Sequence, residues 1–159
     1  MDSFVPSCAP ALNSVKECSP GLIGLNDWKA SQTVLLVEDE PFVRNALAEA
    51  VESAGYKVLI ASNAAEALGV QENGIEEIDL LLADIVMPNI NGHELARKIL
   101  ALSPHTEVLL MSGYEEQVIR CEQSLEGVDY LAKPFSIPTL LQRVRGLLGK
   151  RSRRQQELA

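Results

Sequence analysis

The chain has 159 residues, 47% of them hydrophobic, which is enough for one full core and too apolar for a disordered segment. Its net charge is −8, and residues 32–149 carry 8 Lys+Arg against 18 Asp+Glu, a difference of −10, with most of the basic excess at Lys150, Arg151, Arg153 and Arg154. That balance excludes nucleic-acid binding by the folded part, and no run approaches the ~20 apolar residues of a membrane span.

Residues 1–31 are rich in Ser, Pro, Gly and Asn without a sustained period, and they predict a flexible arm. Leu22, Ile23, Leu25 and Trp28 would dock on the domain's own surface. The arm has Asp2, no basic run and early prolines, so it does not make a signal peptide. Cys8, Cys18 and Cys121 are odd in number and lack metal-ligand spacing, which points to reduced thiols in a cytoplasm.

From residue 33 the pattern becomes regular. Residues 33–37 form an apolar strand ending in Glu38-Asp39-Glu40. Pro41 then opens a helix at the one position where its missing N–H costs nothing. Val43, Ala46, Leu47, Ala50, Val51 and Ala54 recur at helical spacing up to Gly55, a natural stop, and leave Phe42 pointing outward. A second strand at 57–61 leads to a weaker helix capped by Ser62 or Asn63, with Gly69 lowering its propensity. The third strand, 79–83, is Leu-rich and not alternating, as for a strand buried on both faces. It ends in Asp84, after which Pro88 and Gly92 bend the chain away. Asn91 caps a helix with Leu95, Ile99 and Leu102 inward. A fourth strand, 107–111, leads into Ser112-Gly113, and a short helix covers 115–121. A fifth strand, 128–132, ends at Lys133-Pro134. The last helix starts at a Ser136 cap with Ile137, Leu140, Leu141, Val144, Leu147 and Leu148 on one stripe. The basic cluster then extends this helix and offsets its C-terminal dipole. His93 and His105 read as surface residues.

Five strands alternating with five helices predict a doubly wound α/β fold with a parallel sheet in the order 2-1-3-4-5. The domain would span 32–149, with 150–159 a basic tail. In that order the first and third strands meet at the switch point, bringing Glu38, Asp39 and Asp84 together. Crowded carboxylates raise each other's pKa unless a cation relieves them, and hard oxygen ligands with few protein contributors suit Mg²⁺. Lys133 would place a positive charge on a transferring group, and Ser112 a hydroxyl that follows it. The chemistry this predicts is attack by the Asp84 carboxylate on phosphorus, giving an aspartyl phosphate.

Carrying Glu38-Asp39, Asp84 with Met87-Pro88 and Gly92, Ser112-Gly113, Tyr130 and Lys133-Pro134-Phe135 in that order, the chain resembles the receiver domain of two-component response regulators over about residues 33–148. Its wording is most similar to receivers attached to hybrid kinases, whether it stands alone or is cut from one. The resemblance implies that Asp84 is the phosphoacceptor in a phosphorelay and that Asp39 binds Mg²⁺ directly. It implies that Glu38 helps through water, with Asp84 and the Val86 backbone carbonyl completing the ligands. Lys133 would pair with the phosphoryl group, Ser112 would be the switch hydroxyl and Tyr130 the coupled aromatic. The Lys133–Pro134 bond would be cis. The donor would be a histidine kinase or histidine phosphotransfer protein docking at Phe42. A downstream effector would bind the face of the fourth helix, fifth strand and fifth helix, on a monomer or a phosphorylation-linked dimer. Such a protein is no enzyme beyond its own phosphorylation and dephosphorylation. Val86 and Tyr114 stand where the family often has polar residues that orient water, which predicts slow loss of the phosphate.

Other classes fit less well. A degenerate receiver that only binds partners would not need Asp84, Asp39 and Lys133 together. A dehalogenase-type phosphatase wants a second aspartate two residues after the nucleophile, where Val86 stands. A nucleotide-binding module needs a Gly-rich loop where Glu38-Asp39-Glu40 stands.

Overall fold

The computed structural model describes residues 32–74, 76–113 and 125–158. In chain order its elements are β1 (Thr33–Val37), α1 (Pro41–Ser53), β2 (Lys57–Ala61), α2 (Ala64–Asn73), β3 (Leu80–Asp84), α3 (Gly92–Leu102), β4 (Glu107–Ser112), β5 (Val128–Ala132) and α4 (Ile137–Leu158). The expected helix over 115–121, the arm over 1–31 and Tyr114 lie outside the described residues. No helix among the described residues is long and apolar enough to cross a membrane.

All strand pairs are parallel and the order is β2-β1-β3-β4-β5, as expected. The central strands β1, β3 and β4 are buried along their whole length, which is why their sequences run apolar without alternation. Successive side chains still serve opposite faces. Leu35, Val37, Leu81, Ala83 and Leu110 pack with Ala64, Ala67, Leu95 and Ile99 of α2 and α3 on one side. On the other, Val34, Leu36, Leu80, Leu82 and Leu109 pack with Leu47 and Val51 of α1 and Leu140, Val144 and Leu148 of α4. Each such leucine contributes on the order of 2 kcal/mol by leaving water. The outer strand β2 is half-exposed.

Some details differ from expectation. Leu102, at the last turn of α3 and expected inward, is 54% exposed, and Ile137, at the first turn of α4 and expected on its packed stripe, is 40% exposed. The third strand runs one residue later, so Asp84 is its last residue and not the one beyond it. The buried stripe of α1 is Leu47, Ala48 and Val51, while Val43 is 38% exposed and Ala46 also faces solvent. The stripe that packs is the one carrying Leu47 and Val51 into the core, and Arg44, one turn before it, donates to the Glu38 carbonyl at 2.9 Å. Helix α4 runs without a break to Leu158, so the basic cluster extends it as expected. Arg151 on that extension is buried beneath the sheet. It donates from Nε to Asp79 at 2.6 Å and pairs with Glu77 and the His105 carbonyl. Asp79 in turn accepts from the Thr33 amide at 2.8 Å. Gln32 donates to the Leu148 carbonyl at 3.2 Å and to Ser152 at 3.0 Å.

Candidate functional site

A parallel sheet puts every carboxyl end on one edge, and here that edge carries the polar groups. Glu38 follows β1, Asp84 ends β3, Ser112 ends β4 and Lys133 follows β5. Because β1 and β3 are neighbours, with Val37 beside Ala83, the residues after them converge. Carboxylate oxygens of Glu38, Asp39 and Asp84 lie within 4.8 Å of one another.

Asp84 is held from two sides. Its Oδ2 accepts from Lys133 Nζ at 2.9 Å, and its Oδ1 from the Val86 amide at 3.1 Å. Glu38 is almost wholly buried; its Oε1 accepts from the Glu40 amide at 3.2 Å. Its Oε2 accepts no hydrogen bond, Lys133 Nζ standing 3.6 Å away. Burial pushes the Glu38 carboxyl above its usual range. The Glu40 amide and Lys133 oppose this, and the charge of Asp84 adds to it. For Lys133 burial alone would lower the pKa, yet the hydrogen bond and charge of Asp84, with Glu38 beside it, outweigh burial and hold the ammonium above the usual lysine value. The pocket is therefore built around anions with one cation. An orphaned buried carboxylate oxygen beside two further carboxylates is a donor set that suits a hard divalent cation such as Mg²⁺.

The loop after β3 owes its path to residues with separate tasks. Asn89 takes the positive φ of the turn, 70°. Gly92 does not; it is needed for close approach. A Cβ there would stand 2.5 Å from the Asp84 carbonyl oxygen and 2.8 Å from the Ile85 Cα. Its amide donates to the Ile85 carbonyl at 2.8 Å. Asn91 caps α3 by accepting from the Glu94 amide at 2.9 Å. The start of α3 is thus clamped onto the strand that carries Asp84.

Of the other expected site residues, Ser112 is fully buried, and its carbonyl accepts from the Lys133 amide at 2.6 Å. The Lys133–Pro134 bond is cis. Val86 is 53% exposed, and Phe42, on the first turn of α1 just past the acidic run, is 84% exposed. Tyr130 is buried on β5, two strands from Asp84 with β4 between them. His93, expected at the surface, is a correction. It is buried against Tyr130, its Nε2 3.3 Å from the phenol oxygen. The reason is the clamp at Gly92, which turns the next side chain of α3 inward. The one signal in the sequence was that glycine. His105 is exposed, as expected.

Comparison with known proteins gives one consistent result. The family model for the response regulator receiver domain matches residues 34–145. Sensor kinase CckA of Brucella abortus is 36% identical over 125 residues, covering 78% of this chain and 13% of the kinase. The transcriptional regulatory protein TrcR of Mycobacterium tuberculosis is 32% identical, covering 75% of this chain and 46% of the regulator. Among solved structures, the receiver domain of hybrid histidine kinase CckA matches with a TM-score of 0.63 and 38% identity, over 73% of this chain and 98% of that one. The response regulator TrrA of Thermotoga maritima, in complex with Mg²⁺-BeF, matches with a TM-score of 0.64 and 30% identity, over 73% and 98% of the two chains. The chain thus spans less than half the length of the first two relatives, but nearly all of each solved receiver.

Proposed function

Because this chain belongs to the response regulator receiver domain family of two-component systems, we propose that Asp84 is its phosphoacceptor, served by Lys133, Ser112 and a Mg²⁺ held by Glu38, Asp39, Asp84 and the Val86 carbonyl. The observation that carries the reading is the contact of Asp84 Oδ2 with Lys133 Nζ at 2.9 Å, inside a group of three carboxylates whose oxygens lie within 4.8 Å. Bound there, Mg²⁺ would neutralise charge on the carboxylates and on the phosphoryl oxygens.

The chain's own residues do the rest. An Asp84 carboxylate oxygen forms the new bond to phosphorus. The bond from phosphorus to the donor nitrogen of a phosphohistidine breaks, its electron pair leaving with the imidazole. Lys133 turns from the carboxylate toward the developing phosphoryl charge, and the Val86 amide keeps the other oxygen of Asp84 oriented. Ser112 then meets the phosphoryl group from the end of β4, and Tyr130 takes up the space it leaves. Both arrangements pre-exist, and the phosphate biases them. The donor is a histidine kinase or phosphotransfer domain that docks beside the acidic edge at Phe42. The effector reads the face that includes β5. In this reading the protein works in the cytoplasm and turns over nothing but its own phosphate.

The test is intact-mass measurement after incubation with acetyl phosphate and Mg²⁺. One phosphate should be added to the parent, none to Asp84→Asn, and none to the parent in EDTA. Labelling that survives in Asp84→Asn would sink the assignment.

A further inference from the structure

His93 and Tyr130 come from different elements and meet inside the protein. Their exposures are 8% and 7%, their ring centroids are 5.8 Å apart with planes tilted by 34°, and His93 Nε2 lies 3.3 Å from the phenol oxygen. His93 is the second residue of α3, directly after the glycine that clamps this helix to the Asp84 strand. The backbone that carries its ring is therefore clamped to the strand of Asp84, while Tyr130 sits two strands away on β5. We propose that His93 is a positioning residue for the switch, holding the Tyr130 phenol in its inward orientation before any phosphate arrives.

The proposal rests on the reading of Tyr130 as the switch aromatic and deepens it. An inward aromatic is the arrangement that phosphate is held to favour, and here a hydrogen bond between two buried groups already favours it. A buried phenol oxygen without a partner would pull the ring outward toward water. An imidazole supplies that partner in either tautomer, as acceptor or as donor. Burial and then the charge of Arg97, one turn along α3, both hold its pKa below the usual histidine value, which favours the neutral ring. Tyr130 from β5 and Arg97 from α3 are the titratable or charged groups with an identified interaction with this ring among the described residues. The consequence is a resting state that is already partly pre-organised. A ligand that needs the inward state binds more tightly in proportion to the fraction of molecules already in it.

The experiment has two readouts. The first is the dissociation constant for beryllofluoride with Mg²⁺, a phosphoryl analogue, measured on the parent, His93→Leu, His93→Gln, Tyr130→Phe and the His93→Leu/Tyr130→Phe double variant. Loss of one neutral hydrogen bond should weaken apparent affinity about three- to fivefold in His93→Leu and in Tyr130→Phe. The double variant should be no weaker than Tyr130→Phe alone, because the bond that His93→Leu removes is already gone there. His93→Gln keeps a polar group in reach and should lie within about twofold of the parent. The second readout is the Tyr130 ring resonances without any ligand, which should move toward the exposed value in His93→Leu and remain near the parent's in His93→Gln. Effects that multiply in the double variant, or ring resonances unmoved by His93→Leu, overturn the proposal. If the parent failed to bind beryllofluoride, the phosphoacceptor reading would fall, and the ring resonances would still decide the role of His93. If His93→Leu did not fold, His93→Gln with altered ring resonances would overturn it, and unaltered ones beside a shifted His93→Ala would support it.

Discussion

Single side chains here take their chemistry from what surrounds them. Glu38, Asp84 and Lys133 were legible in the sequence because each follows an apolar strand, and strand ends of a parallel sheet share one edge. His93 was not, because a residue just past a helix cap looks solvated until one knows that α3 is clamped to β3 at Gly92. Its burial has a cost that pH should expose. Burial, and then Arg97, lower the folded-state pKa of His93 below its unfolded value. As pH falls through about 6.5, the unfolded chain takes up a proton that the folded one resists, so stability drops on the acid side. Urea midpoints between pH 8 and 5 should fall more steeply for the parent than for His93→Gln. The comparison of the two removes the contribution of Glu38, whose raised pKa acts in the opposite sense. Parallel profiles would mean that His93 titrates alike in both states.

Among the elements, the helices surprised where the strands did not. An apolar run with a carboxylate at its end has one reading. The Ala- and Val-rich α1 offers several stripes, and the one that wins buries Leu47, Ala48 and Val51, with Arg44 in line reaching the Glu38 carbonyl. Helix α4 is the larger case. A basic cluster after the last apolar stripe, with no Gly or Pro over 150–158, reads as an extension of the helix, and so it is; that acidic partners wait for it was not legible. Arg151, 2% exposed, fills its donors there with Asp79, Glu77 and the His105 carbonyl, partners scattered along the sequence and so invisible as a pattern. Arg154 pairs with the buried Glu107 while its own side chain stays 59% exposed. Arg151→Met should strand Asp79 as a buried charge and lower unfolding stability by about 3 kcal/mol. Asp79→Asn in that background should restore part of the loss. Denaturant unfolding checks both, and acetyl phosphate labelling of Asp84, at the far edge of the sheet, should be unaffected. A stability loss below about 1 kcal/mol would mean that the extension merely lies against the domain.

The whole molecule divides into two poles. Its strand order followed from the sequence because one silent strand end among four polar ones belongs at an outer position, and β2 lies there. One pole carries the carboxylates and, beside them, an aromatic that is 84% exposed, Phe42. An exposed aromatic next to reactive chemistry is a strong candidate for a docking anchor. Phe42→Ala should therefore slow phosphotransfer from the cognate protein donor about tenfold, a barrier change of about 1.4 kcal/mol. Labelling by acetyl phosphate, which needs no docking, should keep its rate. Equal slowing of both would place Phe42 in the chemistry and not in recognition. The opposite pole is where Gln32 meets Leu148 and Ser152, so the first described residue and the last helix lie side by side there. A surface, bead or reporter attached through residue 158 would thus hold the protein by its back. Immobilised that way, every copy would present the same carboxylate-bearing end to whatever flows past it.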